Sequence, residues 1–218
     1  MHHIERLISE GEHQMLYFKY EISDAGKIAR SLVAFANTNG GRLLVGVRDN
    51  GSLAGVRSEE EFYMGDTAAK MHCNPEVAIT VKSWNLYRKN ILEVTIPKST
   101  LRPHFALQED KSWIAYHRVG DQNFPANRIL LRVWKFENDP RDVVLQFTDA
   151  EKFLLAHLEQ NQTITISKFI RSTGIKKSKA EQILVKMILL KLIDMHFSEN
   201  QTFFTLHGVT VRPGESAP

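Results

Sequence analysis

Residues 34–51 of this chain read Ala-Phe-Ala-Asn-Thr-Asn-Gly-Gly-Arg-Leu-Leu-Val-Gly-Val-Arg-Asp-Asn-Gly, and this stretch decides the fold of its first part. Gly40 and Gly41 predict a tight turn, because glycine accepts positive φ and close backbone contacts that a Cβ would obstruct. The apolar run 43–47 is short and bounded by turn residues, which is typical of a buried strand. Asn50-Gly51 is a strong signal for a hairpin turn. The stretch therefore predicts the end of a helix, a turn, a strand and a second turn.

Helices and strands alternate on both sides of this stretch. Asp24 is predicted to cap a helix over 25–38, in which Ile28, Leu32 and Phe35 recur at helical spacing. Residues 5–16 are predicted to be a short helix and an approach segment, and the other predicted helices are 58–73, with a Ser58/Glu61 capping box, and 127–135. The predicted strands are 16–22, 42–48, 52–57, 77–83, 89–96 and 114–118. This alternation predicts a mixed α/β domain over residues 1–136.

The pattern changes after a polar, proline-containing segment at 137–147, which is predicted to be a linker. Residues 148–207 then show three helical segments followed by two short strands. Thr148 and Glu151 form a capping-box pattern at the start of the first helix, and Ser178 is predicted to cap the third. The tail at 208–218 has two prolines and no periodicity, which predicts disorder.

Composition is that of an ordinary globular protein with a mild basic bias. Apolar residues make up 43% and charged residues 24% of the 218-residue chain, and its formal net charge is +3. An apolar run long enough to span a membrane is missing from the sequence. The single cysteine, Cys73, excludes an intramolecular disulfide, and the first residues lack the apolar core of a secretory signal. We therefore expect a cytoplasmic protein that tolerates an anionic partner.

Two motifs in the first 136 residues resemble a known family. The first comprises Phe18-Lys19, the helix end Phe-Ala-Asn-Thr-Asn-Gly-Gly and the strand Leu-Leu-Val-Gly-Val followed by an aspartate. The second is Ile-Ala-Tyr-His-Arg-Val-Gly-Asp-Gln-Asn-Phe-Pro-Ala at 114–126. Together, over about residues 5–135, they are similar to the Schlafen-type, Alba-related DNA-binding domain. The resemblance implies nucleic-acid binding and, in the Schlafen members, RNA cleavage.

The second part of the chain resembles a winged helix-turn-helix domain. The segment Thr-Ile-Ser-Lys-Phe-Ile-Arg-Ser-Thr-Gly-Ile-Lys-Lys-Ser-Lys-Ala-Glu-Gln-Ile-Leu, at 165–184, lies at the centre of this likeness. The expected fold class is thus a mixed α+β Schlafen/Alba-like domain followed by a smaller winged helix-turn-helix domain.

The resemblance also locates the positions at which Schlafen nucleases carry their metal-binding acids. In that family a Glu lies five residues before a second Glu that precedes Phe-Lys, and an Asp follows the Gly-Val strand. This chain has Glu12, Tyr17 and Asp49 at those positions, with Arg48 beside the aspartate. A tyrosine phenol ionises near pH 10 and is a poor ligand for Mg²⁺. We therefore expect no metal, no cofactor and no catalysis; the alternative is a divergent nuclease using Glu12, Asp49 and either Glu10 or Glu21.

A cationic run at 171–179 is the strongest candidate for nucleic-acid contact. It contains four basic residues and no acid, and in the winged-helix likeness it leads into the third, groove-binding helix. The predicted DNA contacts there are Arg171, Lys176, Lys177, Ser178, Lys179 and Gln182. The first domain is predicted to add phosphate contacts or dimerisation through Lys19, Arg48 and Arg118.

These residues predict a DNA-binding transcriptional regulator that binds duplex DNA as a homodimer, without a membrane partner. Two other interpretations stay open at this point. The cationic run is also consistent with a solvated polar face in a winged helix that only dimerises or binds other proteins. Arg118 is also consistent with a surface ion pair to Asp49 or Asp121.

Overall fold

The structure, a computed structural model, describes residues 2–56, 60–138, 147–198 and 201–209. The chain forms two compact units, the first ending at Ala126 and the second beginning at Asn127. Helices and strands are mixed along the chain, which confirms the predicted α/β fold class. Among the helices within these described ranges, none is both long and apolar enough to cross a membrane.

The first unit is built on a four-stranded sheet. Its helices are α1 (His3–Glu10), α2 (Ala25–Asn37) and α3 (Glu60–Met71). Its strands are β1 (Leu16–Lys19), β2 (Gly41–Val45), β3 (Cys73–Asn74), β4 (Thr80–Leu86), β5 (Lys89–Ile96), β6 (Phe105–Leu107), β7 (Trp113–Ile114), β8 (Tyr116–Val119) and β9 (Gln122–Pro125). The main sheet has the order β1-β2-β5-β4, in which β1 and β2 are parallel and the other pairs are antiparallel. A small sheet β3-β6-β7 and the hairpin β8-β9 complete the unit.

Helices cover both faces of the main sheet because successive strand residues point to opposite sides. Leu43 and Val45 of β2 belong to the core cluster that includes most of the buried residues of α2. Leu44, between them, belongs to a second cluster with Ile4 and Leu7 of α1. This alternation explains why the residues at 43–45 are all apolar, as expected for a strand segment buried on both faces.

The predicted glycine turn between α2 and β2 is present, and its backbone is tightly enclosed. Asp24 caps α2 as predicted, and its side chain accepts a hydrogen bond from the Lys27 amide. Gly40 has φ +71°, and a Cβ there would lie 2.7 Å from the Ile96 carbonyl oxygen and the Lys98 amide nitrogen. A Cβ on Gly41 would lie 2.5 Å from the Phe35 ring. Only glycine therefore fits either position without movement of the backbone or of Phe35.

Strand β2 ends earlier than the predicted 42–48 because the chain turns at Gly46. That residue has φ +90°, and its carbonyl oxygen accepts hydrogen bonds from the amides of Ala54 and Gly55. The predicted strand over 52–57 is reduced, within its described part, to one antiparallel bridge between Val47 and Leu53. Ser58, assigned to the capping box of α3, lies outside the described residues.

In its described residues, the second unit combines four helices with a three-stranded antiparallel sheet. Its elements are α4 (Arg128–Asn138), α5 (Asp149–Asn161), β10 (Ile164–Thr165), α6 (Ile166–Thr173), α7 (Lys177–Leu189), β11 (Ile193–Phe197) and β12 (Thr202–Leu206). The sheet order is β10-β12-β11. Four side chains in the core of the second unit pack in one cluster and are fully buried: Leu154, Phe169, Leu184 and Phe204.

Helix α4 belongs to this second unit, although the sequence placed it in the first, up to residue 136. The side chains of Ile129 and Val133 are buried in the same core as those of α7. The side-chain amide of Asn127 donates a hydrogen bond of 3.2 Å to the Thr202 hydroxyl. The helix continues to Asn138, so it occupies the start of the predicted linker 137–147. Residues 139–146 of that linker, and 210–218 of the predicted tail, lie outside the described residues.

The buried thiol of Cys73 gives a simple test of the first core. Cys73 is 5% exposed, and burial raises the pKa of its thiol to about 12. Because the thiolate is the reactive form, we expect Ellman's reagent to modify Cys73 in the folded protein at about pH 8 at least a hundredfold more slowly than in urea. Equal rates in both states would show that the packing around Cys73 is wrong.

Candidate nucleic-acid interface

The predicted contact residues of the second unit lie at the end of α6, in the following turn and at the start of α7. Helix α6 ends at Thr173, and Gly174 follows in the left-handed conformation. Helix α7 begins at Lys177, and its N-cap is Lys176, two residues before the Ser178 cap predicted from the sequence. All six residues assigned to this surface are exposed: Arg171, Lys176, Lys177, Ser178, Lys179 and Gln182.

The start of α7 has an electrostatic arrangement that favours a bound anion. Lys176 is the N-cap residue, makes no capping hydrogen bond with its side chain, and is followed by a first turn without an acid. Helix α5, by contrast, carries Asp149 and Glu151 in its first turn. Backbone N–H groups and the helix dipole make a helix N-terminus positive, so lysines there add to a charge that a phosphate would neutralise.

The opposite face of α7 fixes the orientation of the helix. Ile183, Leu184 and Met187 are buried in the core of the second unit. Glu181 is 4% exposed, and its carboxylate lies 3.3 Å from the guanidinium of Arg132 on α4. These contacts leave Ser178, Lys179 and Gln182 on the solvent side without requiring them for the packing of the unit.

In the first unit, Lys19 and Arg48 lie close together at the carboxyl ends of β1 and β2. The Lys19 carbonyl oxygen accepts a hydrogen bond of 2.8 Å from the Gly46 amide, which joins the two strand ends. Arg48 is exposed, and its guanidinium carbon lies 5.1 Å from the centre of the Tyr20 ring. Sequence reasoning missed Tyr20, although an aromatic residue directly after Lys19 was a visible signal.

Arg118 does not belong to this surface, contrary to the prediction. It is 2% exposed, and its guanidinium donates hydrogen bonds to the carbonyl oxygens of His13 and Leu16 and to the Asn123 side chain. The same group lies over the Phe35 ring, 4.6 Å from its centre. These contacts exclude both a nucleic-acid contact and the alternative surface ion pair, so Arg118 is a core residue that joins distant segments.

The three positions expected to hold nuclease acids are close enough to interact electrostatically. Burial raises the pKa of the Tyr17 phenol, and the charges of Glu12 and Asp49 raise it further. The phenol therefore stays protonated at neutral pH and does not supply a third anionic ligand. The Glu12 carboxylate already accepts a hydrogen bond of 2.9 Å from the Phe18 amide.

Neither of the additional acids weighed for a divergent site completes a metal centre. The carboxylate of Glu10 lies 3.5 Å from the His13 ring, and Glu21 is half-buried. Within the part of the chain that the structure describes, no three His, Cys, Asp or Glu side chains form a group able to hold a metal ion.

Known proteins place the first unit in a family. A family model described as Schlafen, AlbA_2 matches residues 12–127. No curated protein matches the chain. The solved structure of the DIP2311 protein from Corynebacterium diphtheriae is similar, with 20% identity, a TM-score of 0.46, and coverage of 66% of this chain and 32% of that one. This chain therefore spans about a third of the length of the C. diphtheriae protein.

A second solved structure is the N-terminal domain of an ATP-dependent DNA helicase RecG-related protein from Nitrosomonas europaea. It has 23% identity and a TM-score of 0.40, over 59% of this chain and 94% of that one. The family model matches more than half of the chain and spans both sequence motifs. The chain belongs to the Schlafen AlbA_2 family.

Proposed function

We propose that this chain is a nucleic-acid-binding protein, a transcriptional regulator that binds duplex DNA through a winged helix in its second unit. The observation that carries the proposal is the exposed, acid-free cationic surface at the start of α7. In this proposal the Schlafen-like first unit binds without catalysing a reaction.

The element order of the second unit supports the winged-helix assignment. Helices α6 and α7, joined by the short turn at 174–176, correspond to a helix-turn-helix pair. Strands β11 and β12 pair antiparallel, from Ile193 opposite Leu206 to Phe197 opposite Thr202, and correspond to the wing. In such folds the second helix of the pair enters the major groove with its N-terminal residues against the bases.

The side chains at the start of α7 suit this docking mode. Lys176, Lys177 and Lys179 would neutralise phosphates, which gives sequence-independent affinity that decreases with salt. Ser178 and Gln182 are one helical turn apart and exposed, so both can face base edges in the groove. A homodimer would place two such helices on two half-sites, which is how helix-turn-helix proteins gain specificity.

The test is fluorescence anisotropy of the full chain with labelled duplex DNA, single-stranded DNA and structured RNA across a salt series. We expect duplex binding that weakens steeply as salt rises. Absence of binding to all three at low salt would overturn the proposal and favour a protein-interaction or dimerisation role for the winged helix.

We expect the first unit to lack nuclease activity. Glu12 and Asp49 provide two carboxylates, and the protonated Tyr17 occupies the third position. Incubation of the chain with RNA and DNA substrates in Mg²⁺ and then Mn²⁺ should give the same background cleavage as the Glu12→Ala/Asp49→Ala variant. Metal-dependent cleavage that this double substitution abolishes would establish the divergent nuclease instead.

A further inference from the structure

A planar cationic surface lies at the carboxyl ends of the two parallel strands β1 and β2. Tyr20 directly follows β1, and Arg48 follows β2 after the turn at Gly46. The Arg48 guanidinium carbon lies 5.1 Å from the centre of the Tyr20 ring, within the range of a cation–π contact. Arg48 is exposed to solvent, whereas Tyr20 is partly buried. Arg48 thus presents a flat face that already rests on an aromatic ring.

The backbone that carries Arg48 is held in place on both sides. Its amide donates to the Ser52 carbonyl oxygen at 3.0 Å, and its own carbonyl oxygen accepts from the Gly51 amide at 2.7 Å. The Asn50 side chain accepts a further bond of 3.0 Å from the Ser52 amide. A side chain on such a closed turn loses little further backbone freedom when a ligand binds.

We infer that Tyr20 and Arg48 form a second nucleic-acid site, at which an unpaired base of a single strand stacks on the Arg48 guanidinium. Arginine planes and aromatic rings stack bases of any identity, provided that the bases are not enclosed in a duplex. Lys19, the last residue of β1, is the lysine nearest in sequence to this pair and would supply a phosphate contact next to it. The inference rests on the proposed nucleic-acid role and adds to it a ligand class and a separate location.

The local charges favour a stacked base over a phosphate cluster. The two cations here are Lys19 and Arg48. An acid directly follows each member of the Tyr20–Arg48 pair in the sequence, Glu21 after Tyr20 and Asp49 after Arg48. This near balance differs from the acid-free first turn of α7. Binding at the Tyr20–Arg48 site should therefore depend on salt much less steeply than duplex binding, because few counterions are released.

The experiment compares Arg48→Lys with Tyr20→Phe in the full chain, using fluorescein-labelled single-stranded RNA and DNA 12-mers. Lysine keeps the charge of Arg48 but lacks the plane, and phenylalanine keeps the ring of Tyr20. We expect Arg48→Lys to weaken single-strand binding about tenfold and Tyr20→Phe to leave it within twofold. An abasic 12-mer, with phosphates and no bases, should bind the wild-type protein as weakly as the normal strand binds Arg48→Lys.

The outcome separates this inference from the proposed duplex function. Substitution of Lys176, Lys177 and Lys179 by alanine should remove duplex binding and leave the effect of Arg48→Lys on single strands unchanged. If the wild-type protein bound single strands but not duplex DNA, the proposed function would be overturned and the second site supported. Equal affinity of Arg48→Lys and wild type for single strands, or equal affinity of wild type for the abasic strand, would overturn the second site.

Discussion

Replacement of Arg118 by alanine should lower the free energy of unfolding of the first unit by about 3 kcal/mol or more. The guanidinium satisfies two backbone carbonyl oxygens, those of His13 and Leu16, and the Asn123 side chain, all at 3.1–3.2 Å. Alanine would remove these hydrogen bonds, would leave the His13 and Leu16 carbonyl oxygens with only the backbone bonds that the two residues exchange, and would open a cavity between the rings of Phe35 and Tyr17. Urea unfolding followed by tryptophan fluorescence measures the change, since Trp84 and Trp113 report on this unit.

Arg48→Ala is the matched control, because Arg48 is also an arginine of a family motif but is exposed. Its loss removes one exposed cation–π contact with Tyr20, worth less than about 1 kcal/mol. Arg118→Lys should resemble Arg118→Ala more than wild type, because one ammonium group cannot reproduce the fixed geometry of the guanidinium donors. If Arg118→Ala and Arg48→Ala destabilised the protein equally, the buried role assigned to Arg118 would be wrong.

Replacement of Lys176, Lys177 and Lys179 by alanine should weaken duplex binding at least a hundredfold at low salt. Each lysine is exposed at the start of α7, and each phosphate that it neutralises contributes about 0.9 to the slope of log K against log salt. The variant should therefore show a slope smaller by about 2.7 if all three contact phosphates. Anisotropy with one labelled duplex, repeated at several salt concentrations, gives both quantities.

The control variant removes the same charge elsewhere in the second unit. Lys135, Lys152 and Lys191 are exposed on α4, on α5 and before β11. Their triple replacement by alanine should leave the salt slope within about 0.5 of wild type, because these lysines lie outside the proposed contact surface. Equal losses in the two triple variants would mean that affinity follows net charge and that α7 has no special role.

The features that the sequence predicted well depend on neighbouring residues. The Asp24 cap and the helical spacing after it are local signals, and the two adjacent glycines mark the turn by themselves, although distant backbone encloses them; α2 and its turn are confirmed. The cationic surface at the start of α7 was equally visible, because a run without acids at a helix start needs no tertiary information. The cap of α7 was predicted two residues too late, at Ser178, because Lys176 occupies the N-cap position without a side-chain capping hydrogen bond.

The features that the sequence predicted badly depend on distant partners. Buried Arg118 donates hydrogen bonds to carbonyl oxygens of residues more than 100 positions away in the sequence. The residues around Arg118 in its motif do not predict these partners. Asn37, in the helix-end motif, is also buried, and its amide donates to the carbonyl oxygens of His104 and Tyr116. Arg118 and Asn37 belong to their motifs because they hold the fold together. The sequence alone does not distinguish such structural residues from residues that contact a ligand.

The boundary between the two units was also predicted wrongly, because the sequence does not show which core helix α4 packs against. The apolar spacing of Ile129 and Val133 predicts an amphipathic helix but does not say which core it covers. The structure places both side chains in the core of the second unit, which moves the boundary from residue 136 to Ala126. Helix α4 also supplies Arg132, the partner of Glu181, so it supports the helix proposed to read DNA.

Backbone amide chemical shifts of the ¹⁵N-labelled full chain, mapped during titration with duplex DNA, test whether α7 is the helix that binds the duplex. We predict that the largest changes fall on residues 176–182, at the start of α7, and that amides of α1 stay unchanged. Large changes confined to the first unit, with residues 176–182 unaffected at saturating duplex, would contradict it.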